Sequence, residues 1–123
     1  MDLHSYVRQY TDDLSRIVQG FAAQDAQGNS IPQQRALELV QSRMKRAHRD
    51  GGRIIFIGTG GSAGIASPLA YDYTKNGRMR SITPTDATYL TGGANDLGYE
   101  NFYAQWLEWH GRKEDIAICI SSS

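Results

Sequence analysis

Arg53-Ile54-Ile55-Phe56-Ile57-Gly58-Thr59-Gly60-Gly61-Ser62-Ala63 is the stretch whose reading decides the fold. Its first half is short, apolar and rich in β-branched residues, the pattern of a central parallel strand buried on both faces. Its second half is a glycine-rich turn. Residues 63–76 follow as a helix, broken by Pro68 and ended by Gly77. Strand, turn and helix in that order aim backbone N–H groups and a helix amino terminus at the carboxyl edge of a sheet, where they can receive an anion. A tight turn without a ligand is the plainer reading of the same residues.

Downstream, Met79–Thr83 reads as a second strand closed by Pro84, and Thr91–Leu97 as a polar, glycine-containing loop. Tyr99, Phe102, Tyr103, Trp106 and Trp109 or His110 mark an amphipathic helix ending at Gly111, and Asp115–Ile120 is the last strand. Upstream, Tyr6, Tyr10, Leu14, Ile17, Val18 and Phe21 form one stripe of a first helix. Gln24–Ser30 reads as a loop in which Asn29 or Ser30 could cap a second helix, with Pro32 in its first turn. Ala36, Leu37, Val40, Met44 and Ala47 give that helix an apolar face. Lys45, Arg46, His48 and Arg49 suit its carboxyl end, read as a solvated terminus before Asp50-Gly51-Gly52. Strand, helix, strand, helix, strand after two helices is an α/β pattern with a parallel sheet.

The chain has 123 residues, with 13 Lys and Arg against 13 Asp and Glu, so it lacks the basic excess of a nucleic-acid binder. No apolar run approaches the roughly 20 residues that span a bilayer. Met1-Asp2-Leu3-His4 does not resemble a signal peptide. We therefore expect a cytoplasmic protein with no nucleic-acid or membrane partner. The single cysteine, Cys119, lies in an apolar run and is expected to be buried and inert. His4, His48 and His110 read as surface or helix-end residues. Ser121-Ser122-Ser123 follows at once on the last strand, and we expect further sequence beyond it to cover that strand.

The anion is open between two classes. Gly58-x-Gly60-x-x-Ala63 satisfies the loose dinucleotide fingerprint. The acidic residue a NAD site wants about 20 positions on is replaced by Arg78, Arg80 and Ser81, which leaves only an NADP reading. No Gly-Lys-Ser/Thr follows the glycines, so a Walker A loop is excluded.

The second class is a sugar phosphate. Gly58–Ala63, Thr91-Gly92-Gly93-Ala94-Asn95-Asp96-Leu97-Gly98-Tyr99-Glu100, and Gly111-Arg112-Lys113-Glu114-Asp115 through Ser123 resemble the three ordered blocks of the phosphoheptose isomerases, members of the sugar isomerase (SIS) domain class. The resemblance spans essentially the whole chain. It implies a three-layer αβα sandwich with a parallel sheet, flavodoxin-like, over residues 1–123. Residues 1–50 would be the N-terminal helical segment, residues 51–123 would carry the sheet and sugar-phosphate loops, and part of the C-terminus would be missing. It also implies substrate contacts at Thr59, Gly60, Gly61 and Ser62, at Asn95 and Asp96, and at Ser121, Ser122 and Ser123. Without the family, the three serines would read as a disordered tail.

The implied chemistry is a ketose–aldose interconversion of a heptose 7-phosphate through an enediol, which requires a positioned base and acid. It supplies heptose for surface polysaccharide such as lipopolysaccharide or capsule. The resembled enzymes use zinc, held in part by a His and a Glu four residues later, and no nucleotide cofactor; they are homo-oligomers, tetramers or dimers. Here the His position is Pro68, which cannot ligate, and the Glu position is Asp72. Asp72 is the candidate base and metal ligand, one methylene and about 1.5 Å shorter; it reads equally as an exposed helix residue. A 123-residue chain of this kind is expected to be inactive. The alternative is a non-catalytic SIS protein that senses a sugar phosphate or binds a partner.

Overall fold

The computed structural model describes residues 2–122 and contains ten elements: α1 (Leu3–Gln19), β1 (Ala23–Gln24), β2 (Ser30–Ile31), α2 (Gln33–Arg49), β3 (Ile54–Gly58), α3 (Gly61–Lys75), β4 (Ser81–Ile82), α4 (Ala87–Leu97), α5 (Tyr99–His110) and β5 (Ile116–Ile120). They form two compact units, one up to Gln41 and one from Ser42 onward.

In the first unit, Asp2 caps α1 by accepting from the Ser5 N–H at 2.9 Å. The expected stripe is present, but none of α1 is buried, and Tyr6, Tyr10, Leu14, Ile17 and Val18 are exposed. Phe21 lies beyond the helix end. Gln24–Ser30 is more ordered than a plain loop, because β1 and β2 pair antiparallel around it. Asp25 Oδ1 accepts from the N–H groups of Gln27 and Asn29. Asn29 and Ser30 are thereby spent in this hairpin rather than capping α2, and Pro32 precedes the helix instead of entering its first turn. The Gln33 side chain donates to the carbonyls of Gln19 and Phe21.

The second unit is built on a parallel sheet of order β4-β3-β5. All five residues of β3 are buried, as the uninterrupted apolar run demands. Ile54 and Phe56 face Met44 of α2 and Ala66 and Ala70 of α3. Ile55 and Ile57 face Phe102 and Trp106 of α5. Helices thus cover both faces of β3, giving three layers. Leu37 and Val40, assigned to the apolar face of α2, are exposed; burial on that helix is confined to Met44 and Ala47.

Three further expectations are corrected. Residues 91–97 are not a loop but the end of α4, which Asp86 starts by accepting from the Thr88 and Tyr89 N–H groups. Gly93 has a packing reason, since a Cβ there would run into the Phe102 ring of α5, whereas a Cβ on Gly92 would meet nothing. α3 begins at Gly61 and continues through Pro68, which neither starts nor ends it. Pro68 and Gly64, whose carbonyl it deprives of a partner, are both exposed residues, where water can satisfy the loss. Cys119 is exposed rather than buried, because on β5 only Ile116, Ile118 and Ile120 turn toward α3.

Candidate functional site

The glycine turn leaves β3 at its carboxyl end. A Cβ on Gly58 would sit 2.5 Å from the Ser62 carbonyl, and Gly60 has φ of +56°, a region that glycine occupies readily. The turn closes through Ser62 N–H donating to the Thr59 carbonyl at 3.0 Å. Gly60 occupies the cap position of α3 and brings no side-chain oxygen to the first-turn N–H groups, which leaves that helix end open to an outside acceptor.

Strand register brings the serines alongside. β3 and β5 pair in parallel with Gly58 opposite Ile120, so Thr59 and Ser121 leave the same sheet edge on strands about 5 Å apart. Ser121 and Ser122 are exposed there; Ser123 lies outside the described residues. Asn95 and Asp96 fall in the last turn of α4, exposed and tied together by Asn95 Nδ2 donating to Asp96 Oδ1 at 2.9 Å.

Two tyrosines at the start of α5 join that segment to the turn. The Tyr99 hydroxyl donates to Thr59 Oγ1 at 3.1 Å, and the Tyr103 hydroxyl donates to the Gly58 carbonyl at 2.9 Å. The rings meet edge to face at 6.2 Å. The Thr59 hydroxyl, then the Tyr103 hydroxyl, hold the Tyr99 phenol below its ordinary pKa; burial, then the Tyr99 hydroxyl, push that of Tyr103 up. The sequence places both residues on a packing stripe, and Tyr99 also in the second resemblance block, without assigning either hydroxyl a role. Their spacing of four, directly after the Asn95–Gly98 segment, was the available signal.

Asp72 lies eleven residues beyond Gly61, exposed in the last turns of α3. Pro68, one turn before it, offers no donor atom. Among the described residues no three His, Cys, Asp or Glu side chains form a group that could hold a metal ion. The residues present therefore do not fit the zinc site that the resemblance implies. His4 and His48 are exposed, and His110 is half-buried against Trp106 at 4.7 Å and Tyr89 at 5.7 Å.

Arg78, Arg80 and Ser81, the residues on which an NADP reading relied, lie at the other end of the sheet. Ser81 pairs with Ile54, the first residue of β3, and Arg80 Nη1 donates to the Gly51 carbonyl at 2.8 Å. No helix among the described residues is long and apolar enough to cross a membrane.

Fold and site together define a three-layer α/β protein whose loops gather at the carboxyl edge of a parallel sheet. Within that class the chain is phosphoheptose-isomerase-like. It is 38% identical over 97 residues to a phosphoheptose isomerase of Chlorobium phaeovibrioides, covering 72% of this chain and 46% of that one. It is 30% identical over 128 aligned positions to a phosphoheptose isomerase of Cytophaga hutchinsonii, covering 98% and 63%. The solved phosphoheptose isomerase GmhA from Neisseria gonorrhoeae superposes with a TM-score of 0.74 at 24% identity, over 99% of this chain and 62% of that one. The chain spans about half the length of the curated relatives it matches. No protein-family model matches it.

Proposed function

We propose that the carboxyl edge of the sheet binds a sugar phosphate of the heptose 7-phosphate class, and that the chain serves ketose–aldose isomerisation of that sugar. The observation that carries this reading is the Gly58–Ile120 register, which sets the glycine turn and the serines side by side. In this reading the hydroxyls of Ser62, Ser121 and Ser122 and the turn's backbone donors take the phosphate. Asn95 and Asp96 take sugar hydroxyls. Asp72 is the base of the enediol step, a role that requires it to reach the carbon-bound proton. No step is assigned to a metal. The exposed apolar stripe of α1 supports self-association, as a dimer or tetramer, measurable by sedimentation.

Pro68 favours a second reading, a protein that binds the sugar phosphate without turning it over. Titration calorimetry with sedoheptulose 7-phosphate, sedoheptulose and NADPH tests both. The phosphorylated sugar is expected to bind and the other two are not, with Ser62→Ala weakening binding by about 1–3 kcal/mol. Aldose formation supports the isomerase; binding without conversion supports the second reading. NADPH binding without sugar-phosphate binding overturns both.

A further inference from the structure

We propose that Tyr99 is a positioning residue: its hydroxyl, donated to Thr59 Oγ1, leaves the Thr59 hydroxyl hydrogen free to be donated to the ligand. This rests on the sugar-phosphate reading above.

A threonine hydroxyl carries one hydrogen and two acceptor lone pairs, and unconstrained it rotates among whatever partners are near, its own backbone included. At Thr59 one lone pair is taken by Tyr99 at 3.1 Å. Thr59 is exposed at the sheet edge, beside the start of the serine segment, so its hydrogen points to an outside acceptor at little cost in reorganisation. Tyr99 is itself held in place. Its ring meets that of Tyr103 edge to face, Tyr103 is half-buried, and the Tyr103 hydroxyl is fastened to the Gly58 carbonyl. The Tyr103 ring also packs, tilted, against the fully buried Phe102 at 5.1 Å between ring centres. The core of the α5 layer is thereby connected through two phenols to the first two residues of the turn. Asn95 and Asp96 are tied to one another by a single hydrogen bond, and it is the two tyrosines that link α5 to the turn.

The test is a double-mutant cycle read by calorimetry with sedoheptulose 7-phosphate, with thermal midpoints measured in parallel. Tyr99→Phe keeps the ring and is expected to weaken binding about three- to tenfold, the worth of one neutral hydrogen bond, with the midpoint unchanged. Thr59→Val should weaken binding by at least as much, and adding Tyr99→Phe to it should cost nothing further. In a Thr59→Ser background the cost of Tyr99→Phe should return. Unchanged affinity in Tyr99→Phe, or a loss that persists in full on top of Thr59→Val, overturns the positioning role while leaving the sugar-phosphate reading intact. Failure of the parent chain to bind the sugar phosphate overturns both.

Discussion

β3 and β5 lie side by side in full register and read almost alike, Ile54-Ile55-Phe56-Ile57-Gly58 against Ile116-Ala117-Ile118-Cys119-Ile120. Yet the first is buried at every position and the second only at alternate ones, and then partly. Ile57 and Cys119 are direct partners on one sheet face; Phe102 and Trp106 cover Ile57, while Cys119 stands open. An apolar run therefore reports compatibility with burial on both faces, and the neighbouring layer decides whether burial occurs.

The sharpest way to break this contrast is to substitute a paired position in each strand. Ile55 is fully buried and its partner Ala117 is exposed. Ile55→Ala is expected to cost about 2–5 kcal/mol, the transfer and cavity terms together. Ala117→Ser should stay within about 0.5 kcal/mol. Urea midpoints measure both, and similar losses would show that the outer face of β5 is covered in solution.

The two strands are fastened at their amino ends by one nearly buried carboxylate. Asp115 accepts from the Arg53 backbone N–H at 2.7 Å, from its guanidinium at 2.8 Å and from the Arg112 N–H at 3.0 Å, while Arg53 also donates to the His110 carbonyl. Burial raises the Asp115 pKa, but the hydrogen bonds and charge of Arg53 and the Arg112 N–H outweigh it, and the net direction is down. A depressed folded-state pKa means the stabilisation is present above the unfolded value of 3.8 and is lost as pH falls through the folded one. Asp115→Asn should cost about 1–3 kcal/mol at neutral pH. Its difference from the parent should shrink below about pH 4, as the parent carboxylate is neutralised. A gap independent of pH would assign the cost to shape rather than charge.

What was legible in the chain follows the same line. β3, the glycine turn and α5 could be read because their signals are local: a β-branched run, glycines where a strand meets a helix, and apolar residues three and four apart. α4 was misread because Gly92-Gly93 carries loop composition, whereas the need for Gly93 comes from Phe102 nine residues away, across the helix pair. Asn29 and Ser30 were read as helix caps because nothing nearby announces that Asp25 and β1 use them first. In the candidate site, the turn and serines were found by motif. The hydroxyls of Tyr99 and Tyr103 were hidden within an amphipathic stripe whose rings, but not whose tips, the periodicity describes.

The smallest expected effect falls on Cys119. Burial of a thiol in a packed core makes its loss costly, whereas an exposed one on the uncovered face of β5 contributes little to the folded state. Cys119→Ser should therefore shift the urea midpoint by less than about 0.5 kcal/mol in equivalent stability. A maleimide should label the native parent chain as fast as the unfolded one, because access, not opening, sets the rate. Slow labelling, or a loss beyond 1 kcal/mol flagged by the same titration as a core-type cost, would mean that β5 is covered on both faces like β3.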